Sequence, residues 1–246
     1  MEKEEIINYI QQSQAFWNPC FEKSLRCPVS FPSSELQKLA TNWHAVTRHF
    51  ARSLPRLVSQ LTEQQELTND EKELFRLEKL TQEVLKILGN DWGLGIKKVD
   101  DTNDHKIIHF KLFERIPKKL GFVEEIEHET KMLIQSLDQS FSNRTSVEYG
   151  FGKLLVVEYT ASNILTIGKA FEKSLYQPGH DILKGEDLIY FKLHEKLEKT
   201  HADDSQSLIT LVGNTPERLD QIFKSVKKST KVFGNFWQKM AEITFN

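Results

Sequence analysis

The sequence predicts an all-helical protein. Apolar residues recur at helical spacing along nearly the whole chain, sustained period-2 alternation is missing, and several segments open with helix-capping signals. The spacing predicts a short N-terminal helix near residues 3–14, followed by a loop that carries Cys20, Cys27, Pro19, Pro28 and Pro32. Pro32-Ser-Ser-Glu35 then opens a long helix that runs past Pro55, where the missing amide and the ring clash predict a bend. Thr68-Asn-Asp-Glu71 has the form of a capping box, and Gly89 is placed to close the helix that follows. Residues 90–103 read as a polar loop, 104–119 as a helix ending near Gly121, and 122–140 as another. A second capping box, Thr145-Ser-Val-Glu148, starts a helix through Leu154-Leu-Val-Val157 to about Tyr176, which Gln177-Pro-Gly-His180 breaks. One helix over about 184–202 and a last one after Asn214-Thr-Pro216 complete the chain.

Composition narrows the function classes. With 246 residues, 39% of them hydrophobic and 28% charged, the chain suits one domain over 1–246, the helix and Pro-containing loop of 1–34 packing on it. A net charge of −2, with acids interleaved among the bases, offers no field for nucleic acid. No apolar run is long enough to cross a bilayer, and Met1-Glu-Lys-Glu-Glu5 lacks the pattern of a secretory signal. A cytoplasmic protein with no membrane partner is expected, and in that compartment Cys20 and Cys27 are reduced bystanders.

The strongest chemical signal is His194-x-x-x-Glu198-x-x-His201. At about 100° per residue, Glu198 falls roughly 40° to one side of His194 and His201 roughly 20° to the other, so all three share one stripe. Tyr190, Phe191 and Leu197 flank that stripe, while Glu195, Lys196 and Lys199 lie opposite, so the trio faces inward. Two imidazoles and a carboxylate are costly to bury without partners, and a transition metal is the partner that suits this donor set. Chance would supply this spacing only about 0.04 times in a chain of this composition.

A helical bundle builds a two-metal site from several helices, so companions are expected elsewhere. Glu158 follows four apolar residues and shares a face with Leu154, Leu155, Ala161 and Leu165; it is either a ligand or one half of a buried ion pair. His109 shares its face with Leu112, Phe113 and Ile116, so it points inward as a ligand or a hydrogen-bonded core residue. Glu83 sits at the edge of a buried stripe, between Leu80 and Ile87 on one side and Lys79 and Lys86 on the other. His44 either lines a pocket or takes a core or boundary position. Glu125-x-x-His128, paired with Glu198-x-x-His201, mimics ferritin-like ligand order, but Glu125 and His128 lie off the apolar stripe of their segment and read as a solvated face.

Phe191-x-x-His194-x-x-x-Glu198-x-x-His201 resembles the metal-binding helix of the heme-oxygenase-like di-iron oxidases, and His109-x-x-Leu-Phe-x-x-Ile-x-x-x-Leu-Gly121 is similar to a segment that supplies another histidine there. Within that superfamily the chain looks closest to proteins related to the chlamydial protein associating with death domains. The resemblance implies a heme-oxygenase-like multi-helix bundle with Glu83, His109, Glu158, His194, Glu198 and His201 as ligands of two iron ions, manganese being the alternative. It departs from the family where a Gly- and Asp-rich loop separates Glu83 from His109, positions the family usually spaces by about two helical turns. It further implies an oxygenase or oxidase that uses dioxygen on a small organic substrate, in a homodimer. Tyr159 and Lys169, near the site-bearing segment, join His44 as pocket candidates, since the closest relatives follow a self-sacrificing route that uses a tyrosine and a lysine. Two alternatives remain open: a metal-free helical binding protein, and a cofactor-biosynthesis enzyme of the pyrroloquinoline-quinone-synthase or thiaminase type. The thiaminase type needs a nucleophilic cysteine in the pocket, whereas both cysteines lie near the N-terminus.

Overall fold

The computed structural model describes residues 2–28, 31–92, 109–142, 144–175 and 182–245, and within them the side chains of residues 33 and 196–206 lie outside the description. Ten α-helices and one 3-10 turn make up the described residues, with no strand among them. They are α1 (Lys3–Gln11), α2 (Pro19–Arg26), α3 (Ser33–Leu67), α4 (Glu71–Asp91), α5 (His109–Leu120), α6 (His128–Ser140), α7 (Val147–Ala161), α8 (Ile164–Ser174), the turn Gly185–Leu188, α9 (Ile189–Val212) and α10 (Pro216–Phe245).

Several boundaries differ from the sequence expectation, each for a local reason. The stretch expected as a loop after α1 contains α2: Asn18 Oδ1 accepts from the amides of Cys20 and Phe21, and Pro19 takes the first helical position, where no amide is needed. The start of α4 is capped by Asp70, whose Oδ1 accepts from Lys72 N, while Thr68 ends α3. Gly89 does not close α4, which continues to Asp91. The segment 122–127 precedes α6 instead of belonging to it. The single helix expected from about 145 to 176 is two, because the chain turns at Ser162-Asn163 and Asn163 Nδ2 donates to Phe16 O at 2.7 Å. The expected loop over 90–103, the helix start at 104 and the break at 177–180 fall mostly or wholly outside the described residues.

Helix α7 is the centre of the bundle. Its residues are buried on almost every side, from Val147 to Thr160, so it shows little amphipathicity. It packs most extensively on α10, and Gly152 makes that approach possible: a Cβ there would stand 2.5 Å from Ile222 O. Helix α3 packs on α4, α5 and α6 on the other side. Trp237 of α10 joins Phe21 of α2 and Trp43 of α3, with ring centroids 4.8 and 4.9 Å away. Gly121 ends the turn after α5 at φ 88°, a conformation that favours glycine.

A charge cluster fastens α4 to α7 and α10. Glu73 accepts from Arg76 at 2.5 Å and from Arg218 at 2.8 Å, and Arg218 also reaches Glu148 at 3.3 Å. The Arg76 guanidinium, with Arg218 behind it, holds the Glu73 carboxyl down to about 2 against the cost of burial. Among the described residues no helix is long and apolar enough to cross a membrane.

Candidate metal centre

The helices around α7 enclose one cavity in which His109, Glu158 and His194 meet. Helix α5 supplies His109 at its first turn, α7 supplies Glu158 near its end, and α9 supplies His194 one turn after Tyr190. All three are buried, at 5%, 7% and 7% exposure, as their inward positions on the apolar stripes require. The two imidazole centroids are 5.0 Å apart.

The hydrogen bonds orient the His194 ring and leave the His109 nitrogens without a partner. His194 Nδ1 lies 2.8 Å from the carbonyl oxygen of Tyr190. A carbonyl only accepts, so Nδ1 carries a proton and the Tyr190 carbonyl holds the ring in place. In His109 both ring nitrogens are buried without a hydrogen-bond partner. Its Nδ1 stands 3.2 Å from Asp91 Oδ1, out of line for a hydrogen bond, and Asp91 Oδ2 is buried and likewise unpartnered. Uncompensated polar atoms of this kind cost on the order of 1–3 kcal/mol each, so the arrangement calls for a further partner.

Asp91, which the sequence did not single out, lines the cavity, and Glu83, which it did, lies elsewhere. Glu83 does not line the cavity; its carboxylate, one-third exposed, lies 4.0 Å from Lys86 Nζ. Asp91 is eight residues further on, roughly 12 Å along the helix axis, and does line it. The signal was present: Leu77, Leu80, Val84 and Ile87 form the buried stripe of α4, and Asp91 continues the 3–4 spacing. Ending the helix at Gly89 hid it.

The three pocket candidates stand off the cavity. His44 is buried beside Glu114, with Nε2 at 3.9 Å from Oε1, while its neighbours Trp43, Val46 and Thr47 line the wall. Burial pushes the His44 imidazole down to about 4, with Glu114 offsetting part of the shift. Tyr159 is buried next to Glu158 yet does not line the cavity, and burial raises its phenol. Lys169 is exposed, pairs with Glu172 at 3.1 Å, and borders a separate groove between α8 and α9. Glu198 and His201 lie in α9, but their side chains are outside the described residues. Glu125 and His128 are exposed, in keeping with a solvated face. Cys20 and Cys27 are free, buried and remote from the cavity, so neither stands ready as a pocket nucleophile.

The donor set fits a metal in part. Two imidazoles and two carboxylates border one cavity, both nitrogens of His109 being unpartnered, a mixed N/O set of the kind iron and manganese take. Among the described residues, however, no three His, Cys, Asp or Glu side chains converge on one point closely enough to hold an ion.

Comparison by sequence finds no matching family model and no matching curated protein. Comparison by structure finds full-length likenesses. Two crystal structures of a CADD-like protein of unknown function from Nostoc punctiforme PCC 73102 superpose with TM-scores of 0.69 and 0.64 at 16% identity. The first match covers 99% of this chain and 98% of that one, the second 97% and 94%. A domain of unknown function with a heme-oxygenase-like fold from Shewanella denitrificans OS217 gives 0.62 at 14% identity, over 98% of this chain and 90% of that one. A chain without strands among its described residues that superposes end to end on these bundles has the heme-oxygenase-like fold.

Proposed function

We propose that this protein is a metal-dependent oxygenase or oxidase that uses dioxygen on a small organic substrate. Two iron ions, or manganese in their place, would be held by His109, Glu158 and His194 together with Glu198 and His201 of α9, and Asp91 takes the part that sequence alone gave to Glu83. The observation that carries the reading is the pair of buried imidazoles 5.0 Å apart, one with both nitrogens unpartnered, in one cavity with Glu158 and Asp91. Bound iron would supply the activation of dioxygen, which no side chain here can perform. The chain's own part is placement. The Tyr190 carbonyl holds the His194 ring in place, Asp91 stands against His109 Nδ1, and the apolar wall of α3 keeps water from the polar end.

The test is to load the protein with Fe(II) under anaerobic conditions and then admit oxygen. Two bound irons and an oxygen-dependent optical change are expected; no uptake and no change would contradict the reading. A second reading, a metal-free helical binding protein, is favoured by the lack of a three-ligand group among the described residues. His201→Ala separates the two, since a metal protein loses bound iron whereas a binding protein loses only stability.

A further inference from the structure

We propose that the cavity takes a small, uncharged, apolar molecule, and that Ala51 and Ala161 set its size. The inference deepens the reading above, because the polar end of this cavity is the proposed metal site. The lining is divided by element. Asp91 and His194 each lie close to His109, and Glu158 of α7 completes the polar lining. Helix α3 contributes Trp43, Val46, Phe50 and Ala51 at helical spacing, and Leu137 and Phe233 add apolar surface from α6 and α10.

Thr47, the polar residue of the α3 stripe, turns its hydroxyl to His44 O at 3.1 Å. Neither lysine nor arginine lines this cavity among the described residues, so no side-chain cation is at hand for an anionic ligand. A cationic ligand would find carboxylates at the polar end but only hydrocarbon along the rest of its length. Such a wall recognises shape and apolar area, not charge.

Size follows from volume. The cavity offers about 70 Å³, and since an apolar cavity of about 150 Å³ holds benzene or xenon, it accommodates roughly three carbon-sized atoms or one xenon. Leucine at position 51 or 161 adds three carbons, enough to fill it. Ala51 is buried on α3, whereas Ala161 is half-buried at the end of α7, so the second substitution tolerates the added bulk if the first does not.

Xenon, iodide and caesium are isoelectronic and differ in charge, which makes them matched probes. Crystals of the metal-free chain of 246 residues are exposed to each, and anomalous scattering locates the heavy atom. Xenon is expected against the apolar lining near Ala51, Phe233 and Val157, with no iodide in the cavity and no caesium away from Asp91 and Glu158, and the xenon is lost in Ala51→Leu and Ala161→Leu. Iodide in the cavity, caesium against the apolar lining, or no xenon there, overturns the ligand class; xenon retained in both variants overturns the size assignment. Because metal is absent throughout, xenon binding in a protein that fails to take iron would sink the metal reading and leave this one standing, and iron uptake without xenon would do the reverse.

Discussion

At Lys153 a primary amine lies wholly buried on α7, 2.7 Å from the hydroxyl of Ser136 and 5.6 Å from the ring centre of Phe233. No carboxylate pairs with it among the described residues. Burial therefore lowers the amine to about 7, with Lys228 adding to the shift. Between 10.5, its ordinary value, and about 7 the unfolded chain holds more protons than the folded one, so stability falls as pH drops through that window and levels off below it. Lys153→Met should raise stability at pH 7 by about 1–4 kcal/mol and flatten the pH dependence between pH 7 and 10. Urea unfolding at the two pH values checks both statements. At the proposed metal site the deciding pair is Asp91 and Glu83. Asp91→Ala should lower bound iron, measured by metal analysis, while Glu83→Ala leaves it unchanged; the opposite result would restore Glu83 as the ligand.

Among the elements, how well a helix can be read depends on where its information lies. His109, Glu158 and His194 were legible because each sits on a stripe of apolar neighbours, and such a stripe fixes which way a side chain points. Asp91 was not legible, because it lies in the last turn of α4 beyond a glycine, and helix ends depend on contacts that periodicity does not record. The same holds for α2, whose Asn-Pro start looks like a turn until Phe21 is seen to be wholly buried. Tyr159 and Lys169 were chosen for proximity in sequence to the site-bearing segment, which says nothing of direction: Tyr159 neighbours Glu158 in sequence and still lies off the cavity. The clamp around Glu73 belongs to this scale as well. Glu73→Gln removes the negative charge between Arg76 and Arg218 and should cost about 1–3 kcal/mol at pH 7, read as a lower urea midpoint. The lowered carboxyl works in the usual direction: its stabilisation is present above 4.5 and lost as pH falls toward 2, so the difference between wild type and variant should shrink across that interval.

For the molecule as a whole, the bundle brings Asp91, His109, Glu158 and His194 together in a cavity whose remaining lining is mostly apolar. Helices α4, α5, α7 and α9 each bring one polar side chain to the cavity, and α3 supplies much of its hydrocarbon lining. The all-helical class followed from periodicity, and the heme-oxygenase-like bundle from the resemblance that the motif on α9 carries. The contact between Asp91 and His109 could not follow from the sequence, because it joins two helices across residues 93–108. The measurement that bears most directly on the account is diffraction at the iron absorption edge from crystals soaked with Fe(II) under anaerobic conditions. Two anomalous peaks bordered by His109, Glu158 and His194 are predicted, one of them within bonding distance of a His109 ring nitrogen. Saturating Fe(II) with no peak in that cavity would contradict the metal centre.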